Sequence, residues 1–293
     1  MKSEEGKLLG KKVEYPKSYC PEILVAVPRI LNREIYGIDR PGELFCGYDS
    51  WHAYEAGFIL DNGMPIAGVL KIVYPSTSPC IVESKSLKLY LASYNMTAMG
   101  NREDIAIQNY TNRIQTDLTK LLSAQVAVSF YNNFSTSAPF DFKDYEILED
   151  QILPETIHFS IYQEHPAYLT ENSSAGKEEL KICSHLLKSN CKITGQPDWG
   201  SIYIRFKGNQ QPDKTSFLKY IVSLRNENHF HEEICEMTFK RLTDLYQPEI
   251  LMVCCLYTRR GGIDICPARA NKAQYLPDNL GNAQILTQRS FRQ

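Results

Sequence analysis

A thiol and a carboxylate seven residues apart, Cys191 and Asp198, carry the most pointed chemistry in the chain. Gly195, Gln196 and Pro197 between them favour a reversal, so both groups can face one space from the two arms of a loop. A thiol attacks as its thiolate, and a free thiol of pKa ~8.5 is mostly protonated at neutral pH, so a neighbour must steer it. A carboxyl group beside it can move protons to and from a substrate atom. The same residues also suit a plain role, with Cys191 packing at a strand end and Asp198 turning the chain before Trp199 and Gly200.

Three further clusters hold groups that bind or move protons. Glu83, Ser84, Lys85, Ser86 and Lys88 put a carboxylate, two hydroxyls and two ammonium groups in one short run. It reads as a strand continuing to Tyr94, either an edge strand guarded by charge or one that faces a ligand. His229, His231, Glu232 and Glu233 precede or open a helix expected from Glu233, where backbone amides and a nearby imidazole can handle a ligand proton or simply cap the helix. Thr258-Arg259-Arg260-Gly261-Gly262 suits a phosphate, because guanidinium forks grip phosphate oxygens and glycine lets the backbone come close; it suits a charged hairpin turn equally. His229, His231 and Cys235 do not make a four-ligand zinc spacing, and neither a GxGxxG nor a Walker loop is present.

Elements that could hold these groups recur in two rounds. Residues 51–60 and 66–74 read as strands joined by a hairpin at Asp61-Asn62-Gly63, residues 105–122 as an amphipathic helix with Ile105, Tyr110, Ile114, Leu118 and Leu121 near 3.6 spacing, and residues 125–131 as a strand. Residues 1–40, with Tyr15-Pro16 and Val27-Pro28, read as an extended arm, and 132–155 as a linker containing Ser135-Thr136-Ser137-Ala138-Pro139. The second round has strands at 157–162 and from Ile202, a helix over 233–246 and a closing strand over 251–257. Leu218-Lys219-Tyr220-Ile221-Val222-Ser223 echoes Lys88-Leu89-Tyr90-Leu91-Ala92-Ser93, as a degenerate duplication would. Two domains are therefore expected, 1–150 and 151–293.

Bulk properties narrow the setting. The 293 residues carry a net charge of −2 and 43% apolar side chains, a globular balance that advertises neither nucleic acid nor an anionic membrane as partner. No apolar run nears the ~20 residues of a membrane span, and residues 1–7 lack the apolar core of a signal peptide, so the expected compartment is the cytoplasm. Nine cysteines, an odd number without a CxxC pair, agree with a reducing setting.

Taken together, Glu83 to Tyr90, Cys191 to Asp198, Phe230-His231-Glu232 and Thr258 to Gly262 resemble the NADPH-dependent 7-cyano-7-deazaguanine reductases, nitrile reductases of the queuosine pathway. The likeness covers nearly the whole chain and matches their longer, two-module form. It implies an α+β fold of two tandem tunnelling-fold modules, antiparallel sheets with helices on one face, associating as a homodimer. It implies Cys191 as the nucleophile that forms a thioimide and Asp198 as proton partner, with an Asp198 pKa raised above the ordinary ~3.9 by burial. Substrate contacts are implied for Val82, Glu83, Ser84, His231 and Glu232. Contacts to NADPH, two per turnover, are implied for Ser84, Lys85, Arg260 and Gly261. No metal and no nucleic-acid contact are implied.

The Glu-Ser-Lys run stands only in the first half and the Cys191/Asp198 loop only in the second, where Asp213-Lys214-Thr215-Ser216 fills the echo position; one composite site follows. The chain departs from the family at His229, where an acid is usual, and at Gly195, where a bulkier residue is usual. The alternative is a zinc-dependent pterin or purine enzyme of the GTP cyclohydrolase kind, marked by bound zinc and indifference to Cys191→Ala. A silent purine-binding module would bind ligand without oxidising NADPH.

Overall fold

A computed structural model describes Pro16 and residues 18–132, 137–138, 140–171 and 178–293. Tyr15 with the stretch before it, and Ser135, Thr136 and Pro139 of the expected linker, lie outside the described residues. The first half runs β1 (Ala26–Pro28), α1 (Ile30–Arg33), α2 (Pro41–Leu44), β2 (Cys46–Ile59), β3 (Pro65–Pro75), β4 (Cys80–Val82), α3 (Ser84–Ala92), α4 (Glu103–Leu122) and β5 (Ala127–Tyr131). There follow β6 (Ser137–Ala138), β7 (Glu146–Ile147), α5 (Leu148–Gln151), β8 (Leu180–Ser184), β9 (Lys188–Cys191), β10 (Pro197–Lys207) and α6 (Lys214–Ser223). The chain closes with β11 (Asn228–His229), α7 (His231–Tyr246), β12 (Ile250–Tyr257), β13 (Ile263–Ala270), α8 (Asp278–Gly281) and β14 (Leu286–Thr287).

The architecture is mixed α+β. Ten of the described strands join one sheet in the order β11-β9-β10-β12-β13-β2-β3-β5, with β8 beside β10 and β7 beside β8. Its pairings are antiparallel except β11 with β9 and β7 with β8. One core packs Leu87, Tyr90 and Leu91 of α3 and Tyr110, Ile114 and Leu118 of α4 against Trp51, Phe58, Leu70 and Ile72 of β2 and β3. A second packs Phe217 and Ile221 of α6 and Ile234 and Phe239 of α7 against Ile202, Ile204, Leu251 and Val253 of β10 and β12. The two halves exchange material: β13 pairs along β2 from Ile263↔Ala53 to Ala270↔Cys46 and lends Ile263 and Ile265 to the first core. In return Ile38 and Phe45 join the second.

The strand expected over Glu83–Tyr94 is instead helix α3. Glu83 is its N-cap, in extended conformation, with Oε2 accepting the Ser86 N–H at 2.6 Å. The apolar positions Leu87, Tyr90 and Leu91 fall at helical spacing, and the brief alternation Ser86/Leu87/Lys88/Leu89 was too short to exclude a helix. The echo is physical: Asp213 caps α6 in the same way, accepting from Ser216 N–H at 2.8 Å. Ser93 and Ser223 each bond the carbonyl three residues back, Tyr90 and Tyr220, at 2.6 Å. Asp213→Ala is expected to cost about 1 kcal/mol of stability, the worth of an N-cap, read as a lowered urea midpoint.

Two other expectations change. Residues 157–162 form no strand, and α7 begins at His231 rather than Glu233. The described part of the expected linker is packed structure, with α5 burying Leu148 and Phe142 stacking on Tyr203 at 4.2 Å.

Candidate active site

Cys191 is the last residue of β9 and Asp198 the second of β10, which pair as a hairpin in the register Pro197↔Asn190, Asp198↔Ser189. The turn is closed by Cys191 N–H donating to the Gln196 carbonyl (2.8 Å) and Gly195 N–H donating to the Cys191 carbonyl (2.9 Å). Gly195 has φ +65°, a left-handed conformation that side chains resist, so the glycine that departs from the family pattern is what this turn requires. Parallel pairing of His229 with Cys191 places β11, and after it the first turn of α7, next to the thiol.

These elements enclose a cavity of about 280 Å³. Its walls hold Cys191, Asp198, His231, Glu232, Val82, Ser84, Lys85, Arg260 and Gly261, so sites from both halves meet. Glu83 is the exception. It is not among the lining residues; its carboxylate serves the cap of α3, and its buried Oε1 has no hydrogen-bond partner within the protein. Burial raises the Glu83 carboxyl above its ordinary range, with the Ser86 bonds pulling the other way. Sequence reasoning missed the apolar walls Trp51, Ile81, Ile263 and Ile265. Trp51, within the alternating run of β2, was the one available signal.

Asp198 is 3% exposed, and its acidity is opposite to the expectation. Burial pushes its carboxyl up, but His231 and Arg260 outweigh it and hold the pKa below the ordinary Asp range. Arg260 Nη1 donates to Asp198 Oδ1, while its Nη2 donates to Gln196 Oε1 at 2.6 Å. His231 Nε2 comes within 3.4 Å of Asp198 Oδ2 without the alignment of a hydrogen bond, and its ring stacks on Tyr257 at 3.9 Å. His229 is engaged otherwise, between Glu227 (3.1 Å), Glu233 (3.0 Å) and Tyr36 Oη (2.9 Å). His231 is thus the imidazole that meets the acid. Cys235 faces the core, its Sγ 3.4 Å from the Val253 carbonyl, apart from both histidines. Among the described residues the one grouping of three metal-capable side chains is His52, Asp264 and Cys266, fully buried between β2 and β13.

Glu232 is 3% exposed and its Oε1 has no partner within the protein. Behind it lies a buried ionic network that sequence reasoning did not find. Arg29 pairs with Asp49, Arg269 with Asp49 (2.9 Å) and Glu236 (2.8 Å), and Arg33 with Glu236 (2.7 Å). Burial, and next the Asp49 charge, push the Glu232 carboxyl well above its ordinary range; Arg29 and Arg269 offset this in part. A carboxyl so placed holds its proton at neutral pH and accepts donors from a ligand once it loses it.

A half-buried thiol, a buried acid and an orphaned carboxyl meet around one compact cavity, an arrangement suited to a small hydrogen-bonding molecule. Residues 15–130 match the family described as nitrile reductase, 7-cyano-7-deazaguanine-reductase N-term, and residues 197–275 match the QueF-like protein family. The NADPH-dependent 7-cyano-7-deazaguanine reductase of Acinetobacter baumannii (strain AYE) is 38% identical over 283 residues, covering 94% of this chain and 97% of that one. The protein of that name from Dechloromonas aromatica (strain RCB) is 40% identical over 272 residues, 92% of each chain. A crystal structure of the archaeosine synthase QueF-Like in its apo form aligns with 34% of this chain and 99% of its own at 17% identity and a TM-score of 0.30. The chain belongs to the NADPH-dependent 7-cyano-7-deazaguanine reductase family.

Proposed function

We propose that this chain reduces the nitrile of 7-cyano-7-deazaguanine to the aminomethyl group with NADPH, through a covalent thioimide on Cys191. The observation that carries this reading is the meeting of Cys191 and Asp198 with the orphaned Glu232 carboxyl around one cavity. The Cys191 sulfur bonds the nitrile carbon, one C–N π bond breaks, and the thiol proton passes to nitrogen. Asp198, flanked by His231 and Arg260, manages that proton. Glu232 accepts N–H donors of the guanine-like edge, with Val82 and Ser84 beside it and Trp51 as apolar wall, while Glu83, outside the lining, caps α3 behind them.

The residues around the cavity fit NADPH: Ser84 and Lys85 open helix α3, and the Arg260-Gly261 turn offers a guanidinium and a left-handed glycine, a donor set suited to phosphate oxygens. NADPH supplies hydride, twice for each nitrile. The test is substrate-dependent NADPH oxidation with product mass. Two NADPH consumed per nitrile and a product heavier by four hydrogen atoms are expected; bound nitrile without NADPH oxidation overturns the reading.

Glu232 adds a linkage. Its raised pKa means that the free protein holds a proton there near neutral pH, and accepting the ligand's N–H bonds requires the anion. Binding is therefore expected to release up to one proton per site and to tighten as pH rises toward that raised pKa. Calorimetry in buffers of different ionisation heat reads this directly. Glu232→Gln should remove the release; proton uptake in its place would contradict the assignment.

The same reading makes residues 1–150 and 151–293 two tunnelling-fold modules. With the short strands β4, β9 and β11 set aside, the shared strand-strand-helix-helix-strand order of β2-β3-α3-α4-β5 and β8-β10-α6-α7-β12 supports it, as do the matching caps Glu83 and Asp213. A homodimer joined side by side is part of the proposal, since β5 ends the sheet with one edge unpaired among the described residues. Nine free cysteines favour a reducing compartment such as the cytoplasm, and no described helix is long and apolar enough to cross a membrane.

A further inference from the structure

Strand β11 is two residues long and ends the sheet, so its backbone pairing alone holds it weakly. Yet it seats the thiol: His229 pairs with Cys191, Asn228 with Asn190, and the Asn190 N–H donates to the Glu227 carbonyl at 2.7 Å. What fastens the strand is the His229 side chain, which also reaches the cavity wall. Its Nδ1 stands 3.0 Å from Glu233 Oε2 on α7, and its Nε2 stands 3.1 Å from Glu227 Oε2 and 2.9 Å from Tyr36 Oη. Both carboxylates are held in turn. Glu227 Oε1 accepts the Glu164 N–H at 2.8 Å. Glu233 Oε1 lies 3.7 Å from Lys192 Nζ, which donates to Asn32 Oδ1. Lys192 follows Cys191 in the chain, so one cluster holds the turn of the thiol from two sides.

An ionised carboxylate only accepts hydrogen bonds, and a neutral imidazole carries a single N–H. With a carboxylate at each ring nitrogen, only the doubly protonated ring donates to both. We infer that His229 is a positioning residue for Cys191: as an imidazolium between Glu227 and Glu233 it locks β11 to α7, and the lock opens when the ring loses a proton. The neutral ring keeps one donor, and one carboxylate then faces a nitrogen lone pair. The groups around the ring are Glu227 before it, Glu233 from α7 and Tyr36 from the turn after α1. Burial, and next the charges of Glu233, Glu164 and Glu227, keep the Tyr36 phenol protonated. Behind them stand two cations, Lys192 beside Glu233, and Arg241, which lies over the Tyr36 ring and pairs with Glu164 at 2.9 Å. The chain departs from its family at this position, where an acid is usual; an acid here would set a third carboxylate between Glu227 and Glu233.

The inference rests on the nitrile-reductase reading for the role of the thiol, and the test separates the two. Formation of the Cys191 adduct with 7-cyano-7-deazaguanine, without NADPH, is timed by quenched mass spectrometry in wild type, His229→Gln and Glu227→Gln. Two conditions, about pH 6 and about pH 9, lie on either side of where imidazoles titrate. Calorimetry on the Cys191→Ala form of each protein reads ligand affinity separately. At the lower pH the limiting rate of His229→Gln is expected to fall about tenfold, the effect of one charged hydrogen bond, with affinity held within about twofold. At the higher pH the gap should close, because the wild-type ring has lost its second donor; titration of the thiol is common to both proteins and cancels in the ratio. Glu227→Gln should match wild type at the lower pH and keep its lead over His229→Gln at the higher, since a neutral ring then has one carboxylate to meet and one N–H to meet it. A gap of equal size at both pH values, or a loss of affinity in place of rate, overturns the assignment. A wild type that forms no adduct overturns the nitrile reading instead, and hydrogen exchange of the Asn190 and Cys191 amides then decides the lock. Exchange faster in His229→Gln than in wild type at the lower pH and equal at the higher upholds it; equal exchange at both overturns it.

Discussion

Cys191→Ala is expected to abolish the protein–nitrile adduct and to lower turnover by ~10⁴-fold or more, the scale on which enzymes lose activity with their nucleophile. The substitution is clean because the thiol is held by backbone bonds: the Cys191 N–H and carbonyl both close the Gly195 turn, and alanine keeps both. Glu232, on the first turn of α7, remains to hold the ligand. Intact-protein mass after mixing with 7-cyano-7-deazaguanine, without NADPH, reads the result. Wild type should gain the mass of the ligand and discharge it when NADPH is added; the variant should stay bare while still binding. Cys20, Cys46 and Cys80 are also half-buried, so peptide mapping must place the adduct. An adduct that persists in Cys191→Ala, or one mapped to another cysteine, would remove the proposed nucleophile.

What sequence reasoning reached and what it missed follow one physical line. Signals carried by a few adjacent residues were legible. The β2–β3 hairpin shows in alternation and in Gly63, which has φ +84°. Helices α4 and α7 show in long apolar periodicity. The facing of Cys191 and Asp198 follows from the glycine turn between them. Helix α3 failed because nine residues give too few turns for a period, and because Glu83 is a capping acid that looks like any other charge. Strand β13 passed unnoticed since its polar members are buried too: Asp264 bonds His52 at 2.7 Å, and Arg269 meets Asp49 and Glu236.

Partners far apart in the chain were illegible by nature. Arg33 and Glu236 stand 203 positions apart, yet their pairing lies in the network that sets the field around Glu232. Residues 1–40 read as an extended arm, but the described part turns through α1, and Arg29 and Arg33, each 5% exposed, carry that network. The resemblance supplied the list of site residues; the one protonation it implied, a raised Asp198, has the opposite sign in the structure. The sign of the Asp198 shift shows the same limit. Burial alone raises a carboxyl, and the side chains that reverse it, His231 and Arg260, approach from positions 33 and 62 residues away.

That reversal decides how Asp198 works, and Asp198→Asn should cut turnover by roughly 10²–10⁴-fold, the range of a lost acid–base group. In the cofactor-free protein Asp198 is an anion held by Arg260, so it can draw the thiol proton as sulfur attacks but cannot yet donate one. Arg260 also belongs to the turn proposed to meet the NADPH phosphates. A phosphate that draws Arg260 away removes part of what opposes burial, with His231 still in place, and the carboxyl moves up toward the protonated form that the nitrogen needs. Arg260→Met should imitate that withdrawal. The acid limb of cofactor-free adduct formation sets in where Asp198 takes up its proton; with the depressing cation gone, the limb should move to higher pH. Quenched mass spectrometry across pH reads it, and an unmoved limb would deny Arg260 this influence. Stability has the matching sign. A carboxyl with a depressed folded pKa contributes stability above its unfolded pKa and loses it as pH falls through the folded value. Arg260→Met should therefore cost more stability at about pH 7 than at about pH 3, where the Asp198 charge it pairs with is being titrated away. An equal cost at both would mean that the arginine holds the loop by packing, through Gln196, and leaves the acid alone.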